Sequence, residues 1–294
     1  MSKLVVNEEL LEEIELLQLL LKNNTAGMFG GTHKSRTYGS SCEFADFRDY
    51  FPGDDITKID WNAFARFKKL YLKLYLDERQ VHTRIYIDAS RSMGFGKGGK
   101  DRQALRIAAA LAYISVCEMD RVSICLIREK KLETLVSNML GKEAYLNNIS
   151  KLNDVVFEGD SYISEAILPS TVGYGDGMSV IISDFLTDND YEEAVSHLVS
   201  KKRDVLCVQI LSDDELNVKS RGKMHFYDSE NSQKYYRRNI NRDIVQAYMR
   251  ALEYATGRVR EICHSRGADY ALISAEEKFE DIFFGKLNTM GVIK

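Results

Sequence analysis

The sequence predicts an α/β protein built on a doubly wound, mostly parallel β-sheet. Two patterns predict this class. Short apolar runs alternate along the chain with longer amphipathic stretches, and the short runs are apolar at nearly every position, which is typical of strands buried on both faces. The composition agrees, because 294 residues with 45% apolar and 29% charged side chains can bury a substantial core.

The first predicted element is an amphipathic helix over residues 7–22. Its apolar residues recur at helical spacing, and acidic residues fill its first turns, where they suit the positive end of the helix dipole. The stripe is Leu10, Leu11, Ile14, Leu17, Leu20 and Leu21. We expect it either to pack on the body of the same chain or to dock a partner protein.

Residues 23–60 show no periodicity and are interrupted by several glycines and by Pro52. Such a long segment without regular structure tends to be functional or disordered. Its aromatic residues favour an ordered segment. We expect residues 1–80, which hold the helix and this irregular segment, to pack on a main domain of residues 81–294.

The rest of the chain alternates strands and helices. The predicted strands cover residues 71–76, 84–88, 122–127, 179–184, 205–211 and 270–273. The predicted helices cover residues 102–118, 142–152, 162–168, 190–200, 242–264 and 275–287. Two short strand-like runs around a turn at 228–231 predict a peripheral β-hairpin inserted at about 212–241.

Charge and hydropathy exclude several classes of protein. Lys and Arg total 40 against 44 acids, a formal charge of −4, which disfavours a protein that coats nucleic acid. We interpret the basic, aromatic run at 234–238 as a solvated edge of the hairpin. There is no signal-peptide pattern and no run of about 18 apolar residues, so we expect no membrane span and a cytoplasmic protein. The five widely spaced cysteines predict reduced thiols.

Residues with oxygen-bearing side chains lie at the ends of two predicted strands and at the start of one predicted helix. Asp88, Ser90 and Ser92 come directly after the first core strand, Asp184 ends a later strand, and Ser161 begins a short helix. Ligands of open α/β sheets bind outside the carboxyl ends of the strands. Hydroxyl and carboxylate oxygens of this kind suit Mg²⁺. The alternative is that these residues only cap the following helices.

A second motif is weaker. Residues 94–100 match the GxxxxGK pattern of a phosphate-binding loop, but Asp101 stands where that loop has Ser or Thr. A carboxylate there would repel phosphate. We therefore expect no nucleotide site at this loop.

Two groups of residues resemble a known family. Asp88-x-Ser90-x-Ser92 and residues 181–185 are similar to the first and last elements of the metal-ion-dependent adhesion site of von Willebrand factor A domains. The upstream segment resembles the signature of the von Willebrand factor A-like proteins of the bacterial "domain of unknown function 58" group, which is associated with MoxR-type ATPases. Its matching stretches are residues 31–35, 39–50, 52–55, 59–61 and 65–66.

The resemblance implies a von Willebrand factor A-like or Rossmann-like fold with a site for Mg²⁺ or Mn²⁺. Ser90, Ser92 and Ser161 would bind the ion directly, and Asp88 and Asp184 would bind it directly or through water. The remaining coordination position would take an Asp or Glu carboxylate from a partner protein.

The middle loop departs from the family pattern. The family usually has Gly-Thr where this sequence has Asp160-Ser161. Serine keeps the hydroxyl, and Asp160 adds a negative charge nearby. Ser164 is the alternative hydroxyl ligand if the loop is shifted.

The function that the resemblance implies is a non-enzymatic, metal-dependent interaction module. It would work beside a MoxR-type AAA ATPase as an adaptor in the assembly or remodelling of a client protein. The signature segment has two interpretations. Either it is a scaffold in which Trp61 and the other aromatic residues fill a groove and ion pairs hold the loop, or His33, Arg36, Arg48 and Arg66 line a second functional surface. The competing hypothesis is a Mg²⁺-dependent phosphatase-like hydrolase with Asp88 as nucleophile, although Ser90 stands where such enzymes usually carry a second acid.

Overall fold

The computed structural model describes residues 5–25, 35–38, 44–77, 81–94, 99–172, 175, 177–187, 190–218, 222–227 and 235–288. The chain divides into two compact units, one formed by Met1–Gly27 with Val81–Lys294 and the other by Met28–Gln80. The N-terminal helix therefore belongs to the main unit, whereas the sequence-based division grouped it with the signature segment. The predicted turn at 228–231 and residues 95–98 of the glycine-rich loop lie outside the described residues.

The strands, in chain order, are β1 (Ser35–Tyr38), β2 (Phe44–Asp49), β3 (Tyr71–Asp77), β4 (His82–Asp88), β5 (Arg121–Arg128), β6 (Lys131–Met139), β7 (Met178–Ser183), β8 (Asp204–Leu211), β9 (Gly222–Tyr227), β10 (Tyr235–Ile240) and β11 (Asp269–Ser274). The α-helices are α1 (Glu8–Thr25), α2 (Trp61–Phe67), α3 (Arg91–Gly94), α4 (Lys100–Cys117), α5 (Gly141–Asn148), α6 (Ile163–Ile167), α7 (Glu192–Ser200), α8 (Asp213–Leu216) and α9 (Arg242–Arg266). Two 3₁₀ turns, Ile56–Lys58 and Ile149–Asp154, and a π-helical segment, Asp281–Leu287, complete the described elements.

The main unit contains a six-stranded sheet in the order β11-β8-β7-β4-β5-β6. Five strands run parallel, and the edge strand β6 is antiparallel to β5. The chain leaves β4 for β5 on one side and later returns to β7 on the other side. The order therefore reverses between β4 and β7, which confirms the predicted doubly wound sheet and makes their carboxyl ends the expected ligand position.

Each face of this sheet carries its own core. Ile85 and Ile87 of β4 belong to the core that includes the alanine-rich helix α4, whereas Tyr86 belongs to the opposite core with residues of α6 and α7. This arrangement follows from the alternation of side chains along a strand. Because both faces are covered, the strands are apolar at nearly every position, as the sequence indicated.

Helix α1 packs on its own chain. Leu10, Ile14 and Leu17 belong to the same core as α4, and the Arg106 guanidinium donates to the Glu13 carboxylate at 2.7 Å. Leu20, by contrast, is 40% exposed. The first of the two expectations for this stripe therefore holds for most of its residues.

The unit Met28–Gln80 is more regular than the sequence indicated. It holds a three-stranded antiparallel sheet in the order β1-β3-β2 and the short helix α2. The expectation of an irregular segment is wrong for the part that is described. Register shifts interrupt both strand pairings, so the side chains lack the two-residue period that identifies a strand in sequence.

Two further elements differ from expectation. Strand β6 was not predicted, because it is an edge strand with register shifts against β5 and few buried residues. The predicted closing helix is a π-helical turn at Asp281–Leu287. The hairpin expected near 212–241 is formed by β9 and β10.

In the described part of the chain no helix is both long enough and apolar enough to cross a bilayer.

Candidate functional site

The site is built where β4 and β7 end side by side. The parallel register pairs Ile87 with Ile182, which places Asp88, the last residue of β4, beside Ser183. The Ser183 hydroxyl donates a hydrogen bond to Asp88 Oδ2 at 2.6 Å. Asp88 is only 2% exposed, and Asp184, the next residue after β7, is also buried. The structure therefore brings these two predicted residues together at the point where the strand order reverses.

The two serines that follow β4 lie against Asp88. The Ser90 amide donates to Asp88 Oδ1 at 2.9 Å, and the Ser90 and Ser92 hydroxyl oxygens are 3.1 Å apart. Two ligands in adjacent positions of an octahedron with metal–oxygen bonds of about 2.1 Å are separated by about 3.0 Å. The two hydroxyls thus already have the spacing that adjacent Mg²⁺ ligands require.

The middle loop adjoins the serine loop through its backbone. The Arg91 amide donates to the Gly159 carbonyl and the Glu158 amide donates to the Ala89 carbonyl, both at 2.9 Å. Ser161 follows in this loop and is buried. Ser164, the alternative ligand, instead accepts from the Ala194 amide at 3.0 Å and so holds the start of α7. Of the two hydroxyls considered from sequence, Ser164 is therefore occupied by a contact with α7.

The sequence analysis did not identify Lys100 as a residue of this site. The Lys100 ammonium donates to Asp184 Oδ2 at 2.9 Å and to Glu215 Oε1 at 2.8 Å, and Lys100 is only 4% exposed. Glu215 is held in turn by a reciprocal capping box with Ser212 at the start of α8. One signal was available, because a lysine in the first turn of a helix opposes the helix dipole and is out of place unless a carboxylate faces it.

Burial and charge change the protonation of these groups. Burial raises the pKa of Asp88, the nearby Asp184 charge raises it further, and the hydrogen bonds from Ser183 and Ser90 oppose the rise. Burial alone would lower the pKa of Lys100, but the Asp184 and Glu215 carboxylates outweigh it and hold that pKa above its ordinary value. Lys100 is therefore a permanent ammonium ion at neutral pH.

The donor set fits a hard divalent cation. Asp88 and Asp184 offer carboxylate oxygens at this edge of the sheet, and the Ser90 and Ser92 hydroxyls lie beside Asp88. No group of three or more His, Cys, Asp or Glu side chains suited to a metal occurs within the described ranges. An ion at this site would therefore depend on hydroxyl oxygens, which magnesium accepts and zinc generally does not.

The signature segment contains a separate cavity of about 340 Å³, lined in part by Arg66, within the unit Met28–Gln80. The Arg48 guanidinium forms an ion pair with Asp54 at 2.8 Å, as expected for a scaffold. Trp61 is 62% exposed, so it does not fill a buried groove. Two residues of the predicted second surface cannot be placed in this way, because His33 and the side chain of Arg36 lie outside the described residues.

Comparison with known proteins gives a family match. The model of a family described as "Protein of unknown function DUF58" matches residues 46–257, which confirms the family indicated by the signature segment. Uncharacterized proteins of Mycobacterium bovis and of two strains of Mycobacterium tuberculosis are each 25% identical over 224 residues, 74% of this chain and 70% of the relative.

Two solved structures match this chain at low similarity. An aerotolerance-related membrane protein from Bacteroides fragilis has 14% identity and a TM-score of 0.38, over 66% of this chain and 91% of that one. The VWA domain of SpRpn10 has 10% identity and a TM-score of 0.35, over 68% of this chain and 91% of that one. Because these TM-scores are low, the fold assignment rests on the sheet order of this chain itself.

Proposed function

We propose that this chain, which belongs to the family of proteins of unknown function DUF58, is a protein-interaction module and not an enzyme. Its main unit would capture a carboxylate of a partner protein through Mg²⁺ or Mn²⁺ at the carboxyl edge of the sheet. One observation carries the proposal: buried Asp88 joins the ends of β4 and β7, and the Ser90 and Ser92 hydroxyls beside it lie 3.1 Å apart.

Each residue has a distinct task in this proposal. Ser90 and Ser92 would supply direct oxygen ligands, with Ser161 as a third from the adjoining loop. Asp88 is already oriented, because the Ser183 hydroxyl and the Ser90 amide hold its two carboxylate oxygens. When bound, the cation supplies an open coordination position that is selective for hard anionic oxygen.

Asp184 would contribute both to the metal site and to the ion pair with Lys100. Its Oδ2 accepts the Lys100 hydrogen bond and its Oδ1 accepts the Leu186 amide at 3.1 Å. It would therefore bind the ion through water or by exchanging Lys100 for the metal. The Lys100 charge sets the balance between these two states.

The partners follow from the resemblance of the signature segment. We propose a MoxR-type AAA ATPase as the working partner and a client protein that offers an Asp or Glu side chain as the captured ligand. The main unit would hold the client through the cation, and the ATPase would supply the energy for assembly or remodelling.

The competing function, a hydrolase that uses Asp88 as nucleophile, is less well supported. Asp88 is almost fully buried, both of its carboxylate oxygens accept hydrogen bonds, and its pKa is raised by burial and by the Asp184 charge. A nucleophilic carboxylate must be ionised and accessible to the substrate. These features suit an orienting acid better.

The proposal is tested by titrating the purified protein with Mg²⁺ and Mn²⁺ in a calorimeter. Wild type should bind one ion, and Asp88→Ala and Ser90→Ala should remain folded by circular dichroism and lose this binding. Asp154→Ala is the matched control, because Asp154 is an exposed carboxylate outside these loops. Equal uptake by all four proteins would remove the site from consideration.

The interaction itself needs a second measurement. A pull-down from the native cell, run with Mg²⁺ or with a chelator, should recover the client only with the ion and only with wild type or Asp154→Ala. Release of phosphate from generic substrates, lost in Asp88→Ala, would favour the hydrolase instead.

A further inference from the structure

The outward face of helix α1 is apolar in its second half. Leu16 and Leu19 are 55% and 59% exposed, and Leu20 beside them is also exposed. The opposite face of the helix, with Ile14 and Leu17, is packed in the core. Since successive residues of a helix turn by about 100°, Leu16 and Leu19 project only about 60° apart, on the side that faces solvent. These three exposed leucines form one surface, the leucine patch, which the proposed metal-dependent function does not use.

The helix itself does not require leucine at these positions. Glutamine, glutamate and lysine have helix propensities close to that of leucine, and they are soluble when exposed. Single exposed leucines are common on protein surfaces, whereas a contiguous apolar patch with a polar rim marks a contact with another surface. More than half of the surface of Leu16 and of Leu19 is open to solvent, so the patch is available for such a contact.

The first half of the same face is acidic. Glu8, Glu9 and Glu12 are exposed, and none of them forms an ion pair with the described part of the chain. Glu13 and Glu15, on the flanks of the helix, instead accept hydrogen bonds from side chains of α4. The helix dipole explains acids in the first turn, but Glu12 lies beyond that turn and one turn before the leucine patch. These three exposed glutamates, the acidic end of the face, therefore lack a counter-charge from the described chain.

We propose that this face of α1 docks a basic amphipathic segment of a partner protein. Apolar side chains of the segment would cover the leucine patch, and its Lys or Arg side chains would lie opposite the acidic end. Amphipathic helices are recognised in this way, by apolar contacts that give affinity and charges that select the partner. A second copy of α1 would bring the same acidic end and no added cation, so charge complementarity favours a basic segment.

The test uses a synthetic amphipathic peptide of leucine and lysine, with its leucines at helical spacing. A control peptide has glutamate in place of every lysine. Fluorescence anisotropy of the labelled peptides is measured with the purified full chain in EDTA, so that the cation site does not contribute. The lysine peptide should bind and the glutamate peptide should not, and binding should weaken as the salt concentration rises. Asp88→Ala should bind the lysine peptide as wild type does.

Variants of α1 locate the binding. Leu16→Gln and Leu19→Gln should each weaken it by roughly ten-fold, because each removes an apolar side chain that the peptide would cover. Glu12→Gln should weaken it by a smaller factor and reduce its dependence on salt. Leu168→Gln is the matched control, because Leu168 is an exposed leucine at the end of α6, which packs on the opposite face of the sheet. This control should bind the peptide as wild type does.

A second measurement separates docking from packing within the chain. Without peptide, Leu16→Gln and Leu19→Gln should melt within about 2 °C of wild type, because the replaced side chains are exposed. A fall in melting temperature as large as that of Ile14→Ala would show that the chain itself covers this face, and would overturn the proposal. A dimer in light scattering that is lost in Leu19→Gln would overturn it in favour of a second copy. Equal affinity of wild type and both leucine variants, or no binding of the lysine peptide to wild type, would also overturn it.

Discussion

Replacement of Lys100 by methionine tests how the protein balances its own cation against a metal ion. In wild type the Lys100 ammonium contacts Asp184 at 2.9 Å and Glu215 at 2.8 Å. Methionine keeps most of the side-chain volume but has no ammonium group. At these distances each pair is worth about 6 kcal/mol in gross Coulomb energy at an effective dielectric constant of 20, largely offset by desolvation. Breaking a buried pair typically costs about 3–5 kcal/mol.

We therefore expect Lys100→Met to be destabilised by about 3–5 kcal/mol in EDTA, or roughly 10 °C in Tm. Addition of Mg²⁺ should recover part of this loss, because the ion takes the place of the missing charge. Roughly ten-fold tighter metal binding would add about 1.4 kcal/mol to the stabilisation at saturating Mg²⁺. The measurement is thermal unfolding and calorimetry with and without Mg²⁺, with Lys151→Met as an exposed control.

The result that would refute this reasoning is specific. If Lys100→Met lost the same stability with and without Mg²⁺, and bound the ion no better than wild type, then Lys100 would be a structural counter-ion only. Glu215→Gln keeps the Lys100–Asp184 contact, so it should be less destabilised and should show a smaller gain in metal affinity.

Two further predictions follow from the core and from His82. Ile14→Ala in α1 should lower the free energy of unfolding by about 2–5 kcal/mol, because Ile14 is fully buried. Leu20→Ala should lower it by less than about 0.5 kcal/mol. Equal losses of the two variants in urea unfolding would contradict the packing described for α1. Because the pKa of His82 falls from 6.5 to about 4 on folding, the unfolded chain binds more protons in that window. Stability should therefore fall as pH drops through it, by about 1–2 kcal/mol after solvent screening. Urea unfolding of His82→Gln at pH 7 and 5 should show a smaller fall, and an unchanged fall would contradict the assignment.

The sequence was informative where function depends on local order along the chain. Asp88 and Asp184 follow strands that are apolar throughout, so their place at the carboxyl edge could be predicted from runs of five or six residues. The rule that ligands bind outside the carboxyl ends of the strands then predicted that the two residues share one edge of the sheet. The same local reasoning predicted the hairpin and most helices of the main unit.

The features that escaped prediction depend on contacts between distant residues. Lys100 is 84 residues from Asp184 and 115 from Glu215 along the chain, and only the folded sheet brings the three together. The short helix α8, which carries Glu215, has too few residues to show a helical period.

The central claim is that the oxygens of Asp88, Ser90 and Ser92 gather around a divalent cation. The most direct measurement is the anomalous scattering of a crystal grown or soaked with Mn²⁺. The account predicts a peak within bonding distance, about 2.2 Å, of the Ser90 and Ser92 hydroxyl oxygens. A well-ordered site without that peak, with the Lys100 ammonium still seated on Asp184 at millimolar Mn²⁺, would contradict it.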